Sequence, residues 1–107
     1  MSESTSGDHA QPALDIHRQD DSPSRGRWVA DVDGHAAEMT YSRASPSLII
    51  IDHTGVPDAL RGQGVGQALV RRAVEDARRD GFRIVPLCPF AKAQFERHAD
   101  WTDVLHT

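Results

Sequence analysis

The chain has 107 residues and a mass of 11.8 kDa, room for one hydrophobic core but not for separate catalytic and regulatory domains. Apolar residues make up 38%, and eight glycines bring the share to about 45%, a globular rather than a disordered composition. The net charge of −4, from 12 basic and 16 acidic residues, argues against a general nucleic-acid partner, and the longest apolar run, Leu48-Ile49-Ile50-Ile51, is far too short for a membrane span or a secretory signal.

Residues 1–12 mix Ser, Thr, Gly, Asp and Pro with no apolar face, so a flexible tail is expected there, followed by one domain over residues 13–107. From Leu14 onward the apolar residues alternate: Leu14 and Ile16, then Trp28, Ala30 and Val32, then Ala37, Met39 and Tyr41. That is the rhythm of strands. Asp33-Gly34 joins the second and third as a two-residue hairpin turn, because both of its positions require positive φ. Ser45-Pro46-Ser47 turns the chain into residues 48–54, whose nearly continuous apolar run predicts a central strand covered on both faces. From Val65 to Asp80 the period becomes helical. Val65, Leu69, Val70, Ala73, Val74 and Ala77 form the buried stripe, and Arg71, Arg72, Glu75, Asp76, Arg78 and Arg79 are predicted to face water. Gly81 is a left-handed helix cap, and residues 82–87 restart a strand that ends near Cys88. Pro89 begins a short helix to His98 whose Phe90 and Phe95 are expected on the sheet, with Trp101 in a closing tail.

Between the strand at 48–54 and the long helix lies Leu60-Arg61-Gly62-Gln63-Gly64-Val65-Gly66. Glycines there let a ligand approach the backbone, and the free N–H groups of a helix start, aided by the helix dipole, suit phosphate oxygens. Gly66 is followed by Gln67-Ala68 rather than Lys-Ser/Thr, so the loop is not a P-loop, and its glycine spacing does not fit a dinucleotide fingerprint. A tight turn needing glycine for sterics alone is the plain alternative.

Arg61-x-x-Gly64-x-Gly66 resembles the Gln/Arg-x-x-Gly-x-Gly/Ala pyrophosphate loop of the GNAT N-acetyltransferase superfamily. With the flanks His53-Thr54-x-Val56-Pro57, Leu69-Val70, Ala77-Arg78, Gly81 and Pro86-x-Cys88-Pro89-Phe90, the chain is similar from Leu14 to Leu105 to that superfamily's short stand-alone subfamily. The resemblance implies an α/β fold with a mixed, mainly antiparallel sheet around a strand-helix-strand unit. It further implies acetyl-CoA as acetyl donor, bound by Thr54, Val56, Arg61, Gly62, Gln63, Gly64, Val65 and Gly66, with the pantetheine arm between parting strands at 48–54 and 83–88.

Acetyl transfer needs a neutral amine and a way to release the CoA thiolate. Cys88, at the end of the second strand, would protonate that thiolate or carry the acetyl group itself; its alternative is a buried packing thiol. His53 would accept the amine proton, or serve as a hydrogen-bonded strand-end residue; His98, Asp52 and Glu38 are further candidates. No histidine spacing stands out as metal-binding, so no metal is expected. Many members of the superfamily use a tyrosine as general acid, whereas the one tyrosine here, Tyr41, falls in a predicted strand. The short chain leaves an open cleft, which suits an exposed amine on a protein or peptide. A single cysteine suits the cytoplasm, and a monomer or weak homodimer is expected. Two other functions compete: a non-catalytic CoA or acyl-CoA binding module, and an interaction domain whose glycine turn is structural.

Overall fold

Alternating apolar residues and tight turns give four strands in antiparallel succession: β1 (Asp15–Ser22), β2 (Arg25–Val32), β3 (His35–Ser45) and β4 (Leu48–Gly55). The computed structural model describes residues 14–106, so the tail expected at residues 1–12 lies outside the described residues. After β4 the chain forms helix α1 (Val65–Asp80), strand β5 (Arg83–Pro86) and helix α2 (Pro89–Arg97). Strand order follows chain order, and only β4 and β5 pair in parallel. The expected mixed, mainly antiparallel α/β fold is therefore present. Among the described residues no helix is long and apolar enough to cross a membrane.

The Asp33-Gly34 turn has φ of 50° and 81°, as its sequence requires, and Gly81 caps α1 at φ 81° with its N–H on the Ala77 carbonyl. The α1 stripe Leu69, Val70, Ala73 and Val74 is buried in one cluster with Trp28, Met39, Ile49 and Ile51 from the sheet. The opposite sheet face is only half covered at Val29 and Ile50. Three expectations are corrected here. The strand at 48–54 is not central: β3 is the middle strand, and β4 is fully buried only at Ile49 and Ile51, because the core forms on one side of the sheet. Asp76 does not face water; it is fully buried against Trp28 Nε1. Trp101 is not in a tail but buried in a 3-10 segment, Ala99–Val104.

A break in register between β3 and β4 decides which face each side chain at the end of β4 occupies. Thr40 pairs with His53 but Tyr41 pairs with Ile51, so Asp52 is an extra residue bulging from β4. A bulge reverses the alternation beyond it. Thr54, paired with the buried Met39, therefore shares the face of Ile51, and His53 is turned to the open face.

Gly26 has an equally specific reason. A Cβ at this position would overlap the Tyr41 hydroxyl and come within 2.7 Å of the Gln19 carbonyl oxygen. Tyr41 uses that space to donate its hydroxyl hydrogen bond to Asp20. Gly26→Ala should thus cost about 1–3 kcal/mol of stability through overpacking, and an unchanged urea midpoint would show that the ring has room to move.

Candidate functional site

The parallel pairing of β4 and β5 runs only from Leu48↔Arg83 to Ile51↔Pro86. Pro86 has no N–H, and the amides of Leu87 and Cys88 both turn back to the Ile51 carbonyl, at 3.2 and 3.1 Å. Beyond that point β4 continues with β3 alone, so the two strands part. Thr54 and Cys88 face each other across the opening, the Cys88 Sγ–H donating to Thr54 Oγ1 at 3.5 Å. The β4 bulge is what aims Thr54 there.

Beside this opening is a cleft of about 540 Å³, lined by seven of the eight predicted cofactor-binding residues: Thr54, Val56, Arg61, Gly62, Gly64, Val65 and Gly66. Gln63 is the exception; its side-chain amide donates to the Ala59 carbonyl at 3.1 Å. Gly64 caps α1 in the left-handed region, at φ 75° and with no side-chain cap bond. The first helical bond runs from Ala68 N to Gly64 O, so the amides of Val65, Gly66 and Gln67 have no acceptor within the helix. All three residues line the cleft. Gly62 has φ 80°, and nothing lies within 4 Å of where its Cβ would be, which leaves its backbone open to a ligand. Arg61 is largely exposed and, among the described residues, its side chain pairs with Asp58, at 3.1 Å.

Gly66 serves a different purpose from its loop neighbours. A Cβ there would meet Phe90 Cζ at 2.7 Å and Val56 Cγ2 at 3.5 Å, so its bare backbone seats the Phe90 ring. Phe90 is 38% exposed and forms part of the cleft wall, which corrects its expected place on the sheet; Phe95 does occupy the core. Leu60, Gln67 and Phe90 are the lining residues that the sequence reading missed. Pro89-Phe90 directly after Cys88 was the available signal, since a helix starting there must cross the opening.

Cys88 is the N-cap of α2 and only 6% exposed. Burial pushes its thiol up, but the Thr54 hydroxyl, together with the amides of Ala91, Phe90 and Thr54, outweighs that effect and leaves it below the ordinary thiol value. The other candidates are elsewhere. His53 is exposed on the opposite sheet face, Asp52 accepts from Ser42 at 2.8 Å, and Glu38 is paired with Arg27 at 2.8 Å. His98 stacks on Trp101 at 3.8 Å, with Nδ1 against the Gln94 carbonyl. Burial and Asp20 push the Tyr41 hydroxyl up to about 12, and the ring lies in the core. Among the described residues no group of His, Cys, Asp and Glu could hold a metal ion.

The site can therefore take an anion on the amides of residues 62–67, lead an extended arm toward the strand gap, and present a thiol of raised acidity where the arm would end. The sequence profile of the GCN5-related N-acetyl-transferase family matches residues 27–104. The NMR solution structure of a GCN5-like protein from Staphylococcus aureus is similar at 36% sequence identity and a TM-score of 0.63, covering 87% of this chain and 88% of that one. Curated protein sequences give no match.

Proposed function

The chain belongs to the GCN5-related N-acetyltransferase family, and from that premise we propose that it moves the acetyl group of acetyl-CoA to an exposed amine on a protein or peptide, using Cys88. Acetyl-CoA brings an activated thioester and a pyrophosphate. The residues fit both. The free amides of Val65, Gly66 and Gln67 and the uncovered backbone of Gly62 would hold the pyrophosphate, Arg61 would add a cation, and Thr54 and Val56 would flank the arm. The observation that carries the reading is Cys88 in the gap where β4 and β5 part, within hydrogen-bond reach of Thr54.

Cys88 would take the acetyl group as a thioester and release it to a neutral amine. The Thr54 hydroxyl and the α2 N-terminus would stabilise its sulfur as the leaving thiolate. His53, exposed on the opposite face of the sheet, would take no direct part in the step. Such chemistry needs a reduced thiol, consistent with a cytoplasmic protein. One observation favours a second reading: the buried Tyr41 leaves no phenol at the cleft, as would suit a CoA-binding module without turnover.

Calorimetric titration of the chain with acetyl-CoA and CoA tests the cofactor site. Gly64→Asn, which tolerates a left-handed backbone but adds a side chain, should weaken binding about tenfold or more in a protein whose circular dichroism is unchanged. Unchanged affinity in that folded variant removes the amide cradle. Binding without transfer to any amine would select the module.

A further inference from the structure

Two large apolar side chains are exposed among the described residues, Phe90 at 38% and Leu87 at 68%. Phe90 walls the cofactor cleft, but Leu87 has no part in it. Leu87 borders a second hollow, of about 590 Å³, between the end of β5 and α2. Val85, Phe95 and Leu105 give this hollow a mainly apolar lining. Leu87 precedes α2, whereas the small residues Ala99 and Thr102 line the hollow past its other end, one helix length or about 13 Å away. The outer edge of β5 is already taken: Leu105 bridges Ile84, and the His106 N–H donates to the Ile84 carbonyl at 2.9 Å. The hollow is therefore open to side chains rather than to an added strand. Lys92 and Glu96, both exposed, line it one helical turn apart on α2. In the order Lys then Glu, such a pair is the less favourable arrangement within one helix.

A projecting leucine, an apolar hollow and two opposite charges on one surface are complementary to themselves under a twofold axis. We propose that a second copy of this chain docks here, with the two α2 helices antiparallel. An axis between Lys92 and Glu96 sets each Lys92 against the partner's Glu96 and lays each Leu87 over the partner's Ala99 and Thr102. Both leucines leave water, and an ion pair closes each side of the contact. A foreign partner would have to supply all three matching features, whereas the second copy supplies them by symmetry. The patch is small, which makes the dimer a weak and reversible one. It shares no lining residue with the cofactor cleft, so the docking does not rest on CoA binding or on Cys88.

Sedimentation equilibrium on the full chain, from about 1 μM to 1 mM, spans the range of weak association. Dimer should replace monomer within it, and labelling of Lys92, the sole lysine, by an N-hydroxysuccinimide ester should slow as the protein is concentrated. Leu87→Asp should weaken self-association about tenfold or more. Lys92→Glu and Glu96→Lys should each weaken it as well, by setting like charges together twice across the axis. The double variant, which restores opposite signs, should regain most of the lost affinity. All these positions are exposed, so circular dichroism should not change. A chain that stays monomeric throughout overturns the inference. So does a dimer that Leu87→Asp leaves intact, whose interface would lie on another face, or a double variant no tighter than the single ones. Lys92 shielded equally at every concentration, in a monomer, would give the hollow to another occupant and overturn it too.

Discussion

Replacing Cys88 with alanine should lower the rate of transfer to an added amine by about 10²–10⁴-fold, the range for loss of a positioned acid–base or nucleophilic group, and leave acetyl-CoA affinity nearly unchanged. The separation follows from geometry. The pyrophosphate would rest on the amides of residues 62–67, whereas the thiol lies behind Thr54, which lines the cleft. Cys88→Ser should be nearly as slow, because a hydroxyl is far less ionised than a thiol. The same groups predict a pH signature. The thiol is held below its ordinary value, so the thiolate persists to lower pH than in a free cysteine. Iodoacetamide labelling of Cys88 should therefore rise with pH to a lower midpoint than in a free cysteine, and Thr54→Val should move that midpoint upward. A Cys88→Ala protein with full activity and a lower melting temperature would make the thiol a packing group.

Much of this arrangement was legible because it depends on local chemistry. Asp33-Gly34 requires a primed turn, the Val65–Asp80 stripe has one period only, and Gly62 and Gly64 supply the positive φ that the entry to α1 needs. What was not legible depends on partners distant in sequence. Residues 48–54 read as a nearly continuous apolar run, and nothing in them marks Asp52 as the residue that bulges; only the pairing with Thr40 and Tyr41 does. Reading the strand without the bulge makes His53 a plausible neighbour of the site, whereas the bulge gives that place to Thr54. The bare Cα of Gly66 has a reason that its loop does not reveal: α2 lays Phe90 on it. Asp76 looked solvent-exposed because a helical stripe is drawn from apolar residues. Its burial is decided by an indole N–H in β2, 48 positions away in sequence.

That buried carboxylate supports the second large prediction: Asp76→Ala should destabilise the fold by about 3–5 kcal/mol, the cost of breaking a buried charge cluster by removing one partner. Asp76 Oδ2 accepts from Trp28 Nε1 at 2.9 Å, and Oδ1 accepts from Arg72 Nε at 3.0 Å and lies 2.9 Å from Arg79 Nη2; Arg18 approaches to 3.7 Å. The arginines are partly in water, which discounts their attraction. The larger share of the loss comes from stranding the Trp28 N–H in the core and leaving three like charges together. Asp76→Asn keeps an acceptor for Trp28 and should lose less, about 1–3 kcal/mol. In a double-mutant cycle with Trp28→Phe, the two losses should fall short of additive, because each removes the same hydrogen bond. Arg72 also donates to the Ile16 carbonyl at 2.7 Å, so Asp76 fixes the group that fastens edge strand β1 to α1. Amide exchange in β1 should therefore quicken in Asp76→Asn, while acetyl-CoA affinity of the folded fraction stays put, since the cleft lies at the opposite end of α1. A loss below about 1 kcal/mol in Asp76→Ala would mean that water reaches the Trp28 N–H, and the cluster would then be ornamental to the fold.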